Sequence, residues 1–137
     1  MSEMTAKEMD ELLDHHLAAE MRGDVEATLA TFSPDIEHEM VGPGILKGID
    51  AVRPRYEGLF RDVESLSYKT LHRVHGPGFV VDDMLLRVKV LGTMMGIPGN
   101  GRIIEFRMLH RFKMHGGKIT RETAWLDAAA VLRQLRG

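Results

Sequence analysis

Gly92-Thr93-Met94-Met95-Gly96-Ile97-Pro98-Gly99-Asn100-Gly101, followed by Arg102-Ile103-Ile104-Glu105-Phe106-Arg107-Met108-Leu109-His110-Arg111-Phe112-Lys113-Met114, decides the fold. The first half is broken by Gly and Pro and reads as a turn; the second alternates and reads as a long strand. Successive strand side chains point to opposite faces, so Ile104, Phe106, Met108, His110, Phe112 and Met114 share one side. The other side carries Glu105, Arg107, Arg111 and Lys113. One face is therefore buried and apolar with a single imidazole, His110, in its middle. His115-Gly116-Gly117 turns the chain into a partner strand, Lys118 to Asp127, with Ile119, Arg121, Thr123, Trp125 and Asp127 on one parity. The hairpin brings a carboxylate and an imidazole onto one curved sheet.

Outward from this hairpin, the chain predicts helices before it and one after it. Met9, Leu12, Leu13, His16, Leu17 and Met21 recur at helical spacing between Thr5 and Arg22, with Thr5 and Glu8 as a capping box and Gly23 as the left-handed cap. Asp24 caps a second helix carrying Val25, Thr28, Leu29 and Phe32, ended by Ser33-Pro34. Asp35 to Met40 alternates, with Ile36, His38 and Met40 inward and Glu37 and Glu39 in water. A third helix starts near Asp50, with Pro54 in or just after its first turn and Val52, Tyr56, Leu59 and Phe60 as its inner stripe. Ser67 to Val74 reads as a strand with Tyr68, Thr70, His72 and Val74 on one side. Phe79 to Leu91 reads as the longest strand. Its alternation puts Asp82, Met84, Leu86, Val88 and Val90 on the apolar side, unless a bulge flips the register and turns Asp83 inward. Ala128 to Arg136 is a short closing helix.

The 137 residues make one domain, 1–137, large enough for a sizeable core. A net charge of −2 supplies no basic field for nucleic acid. No apolar run approaches the roughly 20 residues that span a bilayer, and no secretory signal is read, so membrane is not an expected partner and the cytoplasm is the default compartment. With no cysteine, disulfides and thiol catalysis are excluded. The ten methionines serve as core filler or line an adaptable cavity. No nucleophile elbow, phosphate loop or helical zinc spacing occurs, and the adjacent His15 and His16 point about 100° apart on a helix. No cofactor and no metal are expected. Helices followed by mainly antiparallel strands describe an α+β domain, and a bent sheet covered by helices leaves a cavity that is the default ligand site.

Four segments, in order, resemble the nuclear-transport-factor-2-like (NTF2-like) superfamily and, within it, the SnoaL-like polyketide cyclases. They are Arg22-Gly23-Asp24 with Leu29, Phe32 and Pro34-Asp35; Lys47-Gly48-Ile49-Asp50-Ala51-Val52-Arg53; Gly92-Thr93 through Gly96-Ile97-Pro98 to Gly101-Arg102; and His110-Arg111-Phe112 with Gly117-Lys118-Ile119, Trp125, Asp127 and Leu132-Arg133-Gln134-Leu135. The resemblance implies a cone of three N-terminal helices on a strongly bent sheet, a cofactor-free pocket and a homodimer joined through the sheet. It also implies that Asp127 is the general acid/base of an aldol-type ring closure.

The residues themselves leave several roles open. A carboxylate desolvated at a cavity wall has its pKa raised and can remove a proton next to a carbonyl; Asp127 fits that role, and equally fits a helix N-cap before Ala128-Ala129-Ala130. His110 would protonate an enolate or orient a carbonyl, or else sit satisfied in the core. Asp82 would assist if it faces the pocket. His38, Tyr56, Phe60, Tyr68, Met84, Phe106, Met108 and Trp125 are the expected ligand-contacting walls. The leading expectation is a cofactor-independent acid–base enzyme, a cyclase or isomerase acting on an apolar carbonyl compound. Two alternatives stand beside it. One is a non-catalytic binder of hydrophobic ligands or a dimeric interaction protein. The other is an epoxide hydrolase or dehydratase with Arg87 or Arg121 bridging Asp82 and Asp127.

Overall fold

The computed structural model describes residues 3–137. Helix α1 (Ala6–Arg22) begins at the Thr5/Glu8 capping box and ends at Gly23, whose φ of 66° is left-handed. Helix α2 (Val25–Leu29) follows, its first turn capped by the Asp24 carboxylate accepting from the Ala27 amide. Strand β1 (Phe32–Met40), the short β2 (Gly44–Lys47) and helix α3 (Ile49–Asp62) come next. The long strands β3 (Val63–Gly76) and β4 (Phe79–Val90) lead to a two-residue pair, β5 (Thr93–Met94) and β6 (Ile97–Pro98). Strands β7 (Arg102–His115) and β8 (Lys118–Leu126) and helix α4 (Ala128–Arg136) complete the chain. The second helix is shorter than the sequence predicts. It stops at Leu29, and Phe32, Ser33 and Pro34 already belong to β1, where proline opens an edge rather than breaking a ladder.

The main sheet has the order β2-β1-β8-β7-β4-β3, antiparallel throughout except where β1 runs parallel to β8. This is the expected α+β, NTF2-like cone with a mainly antiparallel, strongly curved sheet. Three rows of paired residues cross its inner face. Val80, Phe112, Glu122 and His38 form one; Asp82, His110, Ala124 and Met40 the next; Met84, Met108 and Leu126 the third. Helix α1 lays Met9, Leu13, His16 and Leu17 against this face, and α3 adds Val52 and Tyr56. A second apolar cluster forms where α4 seats Ala130, Val131 and Leu135 on Val88, Val90, Ile104 and Phe106. Among the described residues no helix is long and apolar enough to cross a membrane.

The Gly-rich segment before β7 is built by steric exclusion. A Cβ placed on Gly99 would lie 2.3 Å from both the Cβ and the backbone oxygen of Val90, so this loop lies flat on β4 only because residue 99 has no side chain. Asn100 and Gly101 then take left-handed φ values of 54° and 78°, and the Arg102 amide closes the turn on the Gly99 carbonyl at 2.9 Å. Since the obstacle includes main chain, a Gly99→Ala change forces a backbone shift rather than a rotamer change. It is expected to lower the unfolding free energy by about 1–3 kcal/mol or more, read from urea denaturation midpoints.

Candidate functional site

Two bulges decide which polar side chains face the interior. On β8, Met114 pairs with Ile119 but Lys113 pairs with Arg121, so Thr120 is the extra residue. Its hydroxyl donates to the Lys113 carbonyl at 3.2 Å. One inserted residue exchanges the two faces of everything that follows. Glu122, Ala124 and Leu126 therefore point inward. Arg121 points outward, where it ion-pairs with Glu37 and Glu39 of β1. On β3, Leu66 and Leu71 are the inserted residues against β4. After Leu71 the inward residues are Arg73 and His75, so His72 and Val74 do not share a side with Tyr68 and Thr70 as expected; Val74 is exposed.

The bulge on β8 sets Glu122 beside His38 across the parallel β1/β8 pairing. Its carboxylate is 2 % exposed and lies between two imidazoles, 3.4 Å from His16 Nε2 and 3.3 Å from His38 Nε2. Glu20, one turn along α1, brings a second carboxylate to 3.2 Å from His16 Nε2. The proton positions follow from the remaining partners. Thr31 gives its single hydroxyl proton to the Thr28 carbonyl at 2.6 Å, so at 2.8 Å it can only accept from His16 Nδ1. His16 Nε2 then faces two carboxylates. Burial alone would lower the His16 pKa, but Glu20 and Glu122 outweigh it and raise it to about 10. His16 is an imidazolium with a proton on each nitrogen.

His38 is arranged the other way. Arg55 Nη1, which can only donate, lies 3.0 Å from His38 Nδ1, so that nitrogen offers its lone pair. The ring proton therefore sits on Nε2, aimed at Glu122 Oε2 and at the Tyr56 hydroxyl 3.2 Å away. Burial would raise the Glu122 carboxyl, but His38 and His16 overcome this and hold it well below the usual carboxylate range. Burial, reinforced by Glu122 and Glu20, pushes the Tyr56 phenol well above its ordinary value, so it stays protonated.

This cluster closes one end of a cavity of about 240 Å³. His38, Tyr56, Phe60, Tyr68, Met84, Phe106, Met108 and His110 line it. Glu20, Arg55 and Glu122 join them, and Leu17, Met40, Leu59, Leu86 and Met94 keep the rest apolar. His110 stacks on Phe112, ring centroids 5.4 Å apart, and its Nδ1 is buried without a hydrogen-bond partner.

Three of the anticipated site residues lie elsewhere. Trp125 is 36 % exposed on the outer face and Asp127 is exposed, because the bulge at Thr120 reverses their parity. Asp127 instead caps α4, accepting from the Ala130 amide at 3.1 Å. Asp82 does face inward, with no bulge in its own strand. It sits below the cavity, ion-paired at 3.3 Å to Arg73, which also reaches Asp10 and Asp14 of α1 and clamps that helix to the sheet. Arg87 is exposed and Arg121 is on the outer face, so neither bridges Asp82 and Asp127. Among the described residues no group of three or more His, Asp or Glu side chains converges as metal ligands would.

His16, Glu20, Arg55 and Glu122 were not singled out from sequence. His16 was readable as the polar member of an apolar helix stripe. Glu122 was hidden by the bulge.

The pKa shifts fix a stability profile. His16 keeps its proton to about pH 10 when folded, against 6.5 otherwise, so its stabilisation is complete below 6.5 and is lost as pH rises through 10. Glu122 is shifted down from 4.5, so its share is present above 4.5 and is lost as pH falls through the lowered folded value. The stability difference between wild type and His16→Gln is expected to shrink from pH 6.5 to pH 10 in urea denaturation. Glu122→Gln, which leaves the buried His16 imidazolium with Glu20 alone, is expected to destabilise by up to about 3–5 kcal/mol at neutral pH.

The family model for SnoaL-like polyketide cyclases matches residues 10–135. Among solved structures, TsrD from Streptomyces laurentii is 25 % identical with a TM-score of 0.83, over 97 % of this chain and 98 % of that one. An LEH-like epoxide hydrolase from M. tuberculosis shares the fold at 15 % identity and a TM-score of 0.75, over 95 % and 90 % of the two chains. A Catenulispora acidiphila protein with a ketosteroid isomerase-like fold, solved with trimethylamine, is 15 % identical with a TM-score of 0.76, over 92 % of each chain. No functionally curated protein matches the sequence. With the family match running over nearly its whole length, the chain belongs to the SnoaL-like polyketide cyclase family.

Proposed function

We propose that this protein is a cofactor-independent acid–base enzyme acting on a largely apolar carbonyl compound, with His38 as the base. One observation carries the reading: a carboxylate, Glu122, engages one ring nitrogen of His38 and leaves a lone pair on the other, at the wall of an apolar cavity. A carboxylate on the far nitrogen fixes the tautomer and stabilises the imidazolium that forms when the near nitrogen takes a proton. His38 Nδ1 removes a proton from the carbon next to the carbonyl, and the C–H electron pair moves into the enolate. The Tyr56 phenol, held protonated, and the His110 ring also line the cavity and could donate to the developing enolate oxygen. The His16 imidazolium pairs with Glu122 and Glu20 and offsets one of their two negative charges. The enolate then attacks a second carbonyl of the same molecule, closing a ring while His38 Nδ1 returns its proton to the alkoxide formed, or is reprotonated at another carbon. Asp127, bound to its helix end, takes no part.

The test is exchange of α-protons for deuterium from D2O, followed by NMR on a panel of aryl and alkyl ketones and the corresponding keto acids. His38→Gln is expected to slow enzyme-dependent exchange by about 10² to 10⁴. Asp127→Asn, which preserves the helix cap, is expected to leave it within a few-fold. Exchange that survives His38→Gln removes His38 from the chemistry.

The same reading includes a homodimer joined through the outer sheet face, where Ile103, Leu109 and Trp125 are exposed side chains. Light scattering at micromolar concentration is expected to give the mass of two chains, and a monomer mass refutes the dimer.

A further inference from the structure

Among the described residues Arg55 is the one cavity-lining guanidinium, and none of them supplies it with an anionic partner. Among the described residues no carboxylate oxygen comes within the 4.0 Å of an ion pair, whereas Arg53, Arg73, Arg107 and Arg121 each hold one or more. Its contacts are the neutral Nδ1 of His38 at 3.0 Å and the His38 carbonyl at 3.3 Å. A half-buried guanidinium resting on a neutral ring is poorly compensated. Burial accordingly lowers its pKa, against the pull of Tyr56 and Glu122.

Its position is equally specific. Arg55 borders both the inner cavity and an adjoining, more open recess of about 530 Å³. Met40, Pro43, Leu59 and Leu126 also line both, so the recess adjoins the cavity and Arg55 stands where the two meet. Deeper in, Glu20 and Glu122 oppose one imidazolium and repel an anion. On the recess side the only carboxylate is Asp62, which faces Arg61 at 3.5 Å. An anionic group therefore finds its counter-charge at the junction and not at the closed end.

Building on the reading of His38 as the base, we propose that the substrate carries a carboxylate, that Arg55 receives it at the junction, and that this contact draws the guanidinium off His38 Nδ1. The base is then uncovered only when substrate is seated, with the carboxylate outward and the carbonyl inward. A guanidinium fork matches a carboxylate in two parallel hydrogen bonds, which a single imidazole nitrogen cannot offer. The exchange of partners is therefore downhill. No atom beyond the substrate's α-proton is transferred, and it returns from His38 either to carbon when the enolate is reprotonated or to the new alkoxide when a ring closes.

The probe pair is 4-oxo-4-phenylbutanoate and its methyl ester, equal in apolar body and enolisable carbonyl and different only in charge. Calorimetry is expected to show the acid binding at least tenfold tighter than the ester. In Arg55→Met that preference disappears, while Arg55→Lys keeps part of it. In wild type labelled with 15N-histidine, the acid and not the ester moves the His38 Nδ1 resonance, because only the acid removes its donor. Equal affinity for acid and ester, no binding of the acid, or a preference that survives Arg55→Met overturns the assignment. The His38 reading fails on a different observation, deuterium exchange that does not depend on His38, so the two can be told apart.

Discussion

The interior of this protein is organised by one carboxylate that cannot stand alone. Glu122 is buried, and an uncompensated charge there would cost several kcal/mol. Its compensation comes from two imidazoles on different elements, His16 from α1 and His38 from β1. Tyr56 from α3 and Thr31 ahead of β1 complete the hydrogen bonding of those rings. The cluster thus ties helix to sheet at the point where the two strands of the parallel pair meet. Apolar side chains of similar volume would hold these layers together as well, since buried ion pairs are often no more stabilising than such replacements. Stability alone does not explain the arrangement. The asymmetry between the rings does: one is locked as a cation that balances charge, and the other keeps a lone pair that accepts from Arg55 at the cavity wall.

Much of the architecture was legible because local signals agreed. The Thr5/Glu8 box, Gly23, the Asp24 cap and the alternation of β1, β4 and β7 each rest on a single rule that tertiary packing did not override. His38, His110, Met84, Phe106 and Met108 were placed by that alternation, and the structure brings them to one cavity. Even Asp82, whose parity depended on the absence of a bulge, faces inward as the plain count requires. The errors share one cause. Thr120 and Leu71 each add a residue to a strand, and nothing in an unbroken run of β-formers marks where pairing slips. A slip of one residue moved Trp125 and Asp127 to the outside and Glu122 and Arg73 to the inside. The outer-face pairing of Arg121 with Glu37 and Glu39 shows that the observed parity is also the electrostatically consistent one, though this is visible only once β1 is known to lie beside β8.

Membership of the SnoaL-like family accounts for the cone and its cavity, and leaves the chemistry to be argued from the side chains. In this chain the acidic group moves from the exposed end of β8, where the sequence suggested it, to a buried position five residues earlier. That changes the kind of acid involved. A carboxylate held low by imidazoles is a poor base itself but a good anchor for a histidine that acts as one. In the proposed reading, specificity falls to Arg55, where the apolar cavity adjoins the more open recess.

The central claim is the unequal protonation of His16 and His38, and long-range 1H–15N correlation of the histidine side chains at neutral pH reads it directly. The account predicts both nitrogens of His16 in the protonated range, and for His38 a protonated Nε2 with an unprotonated Nδ1. A neutral His16, or a His38 carrying its proton on Nδ1, would contradict it.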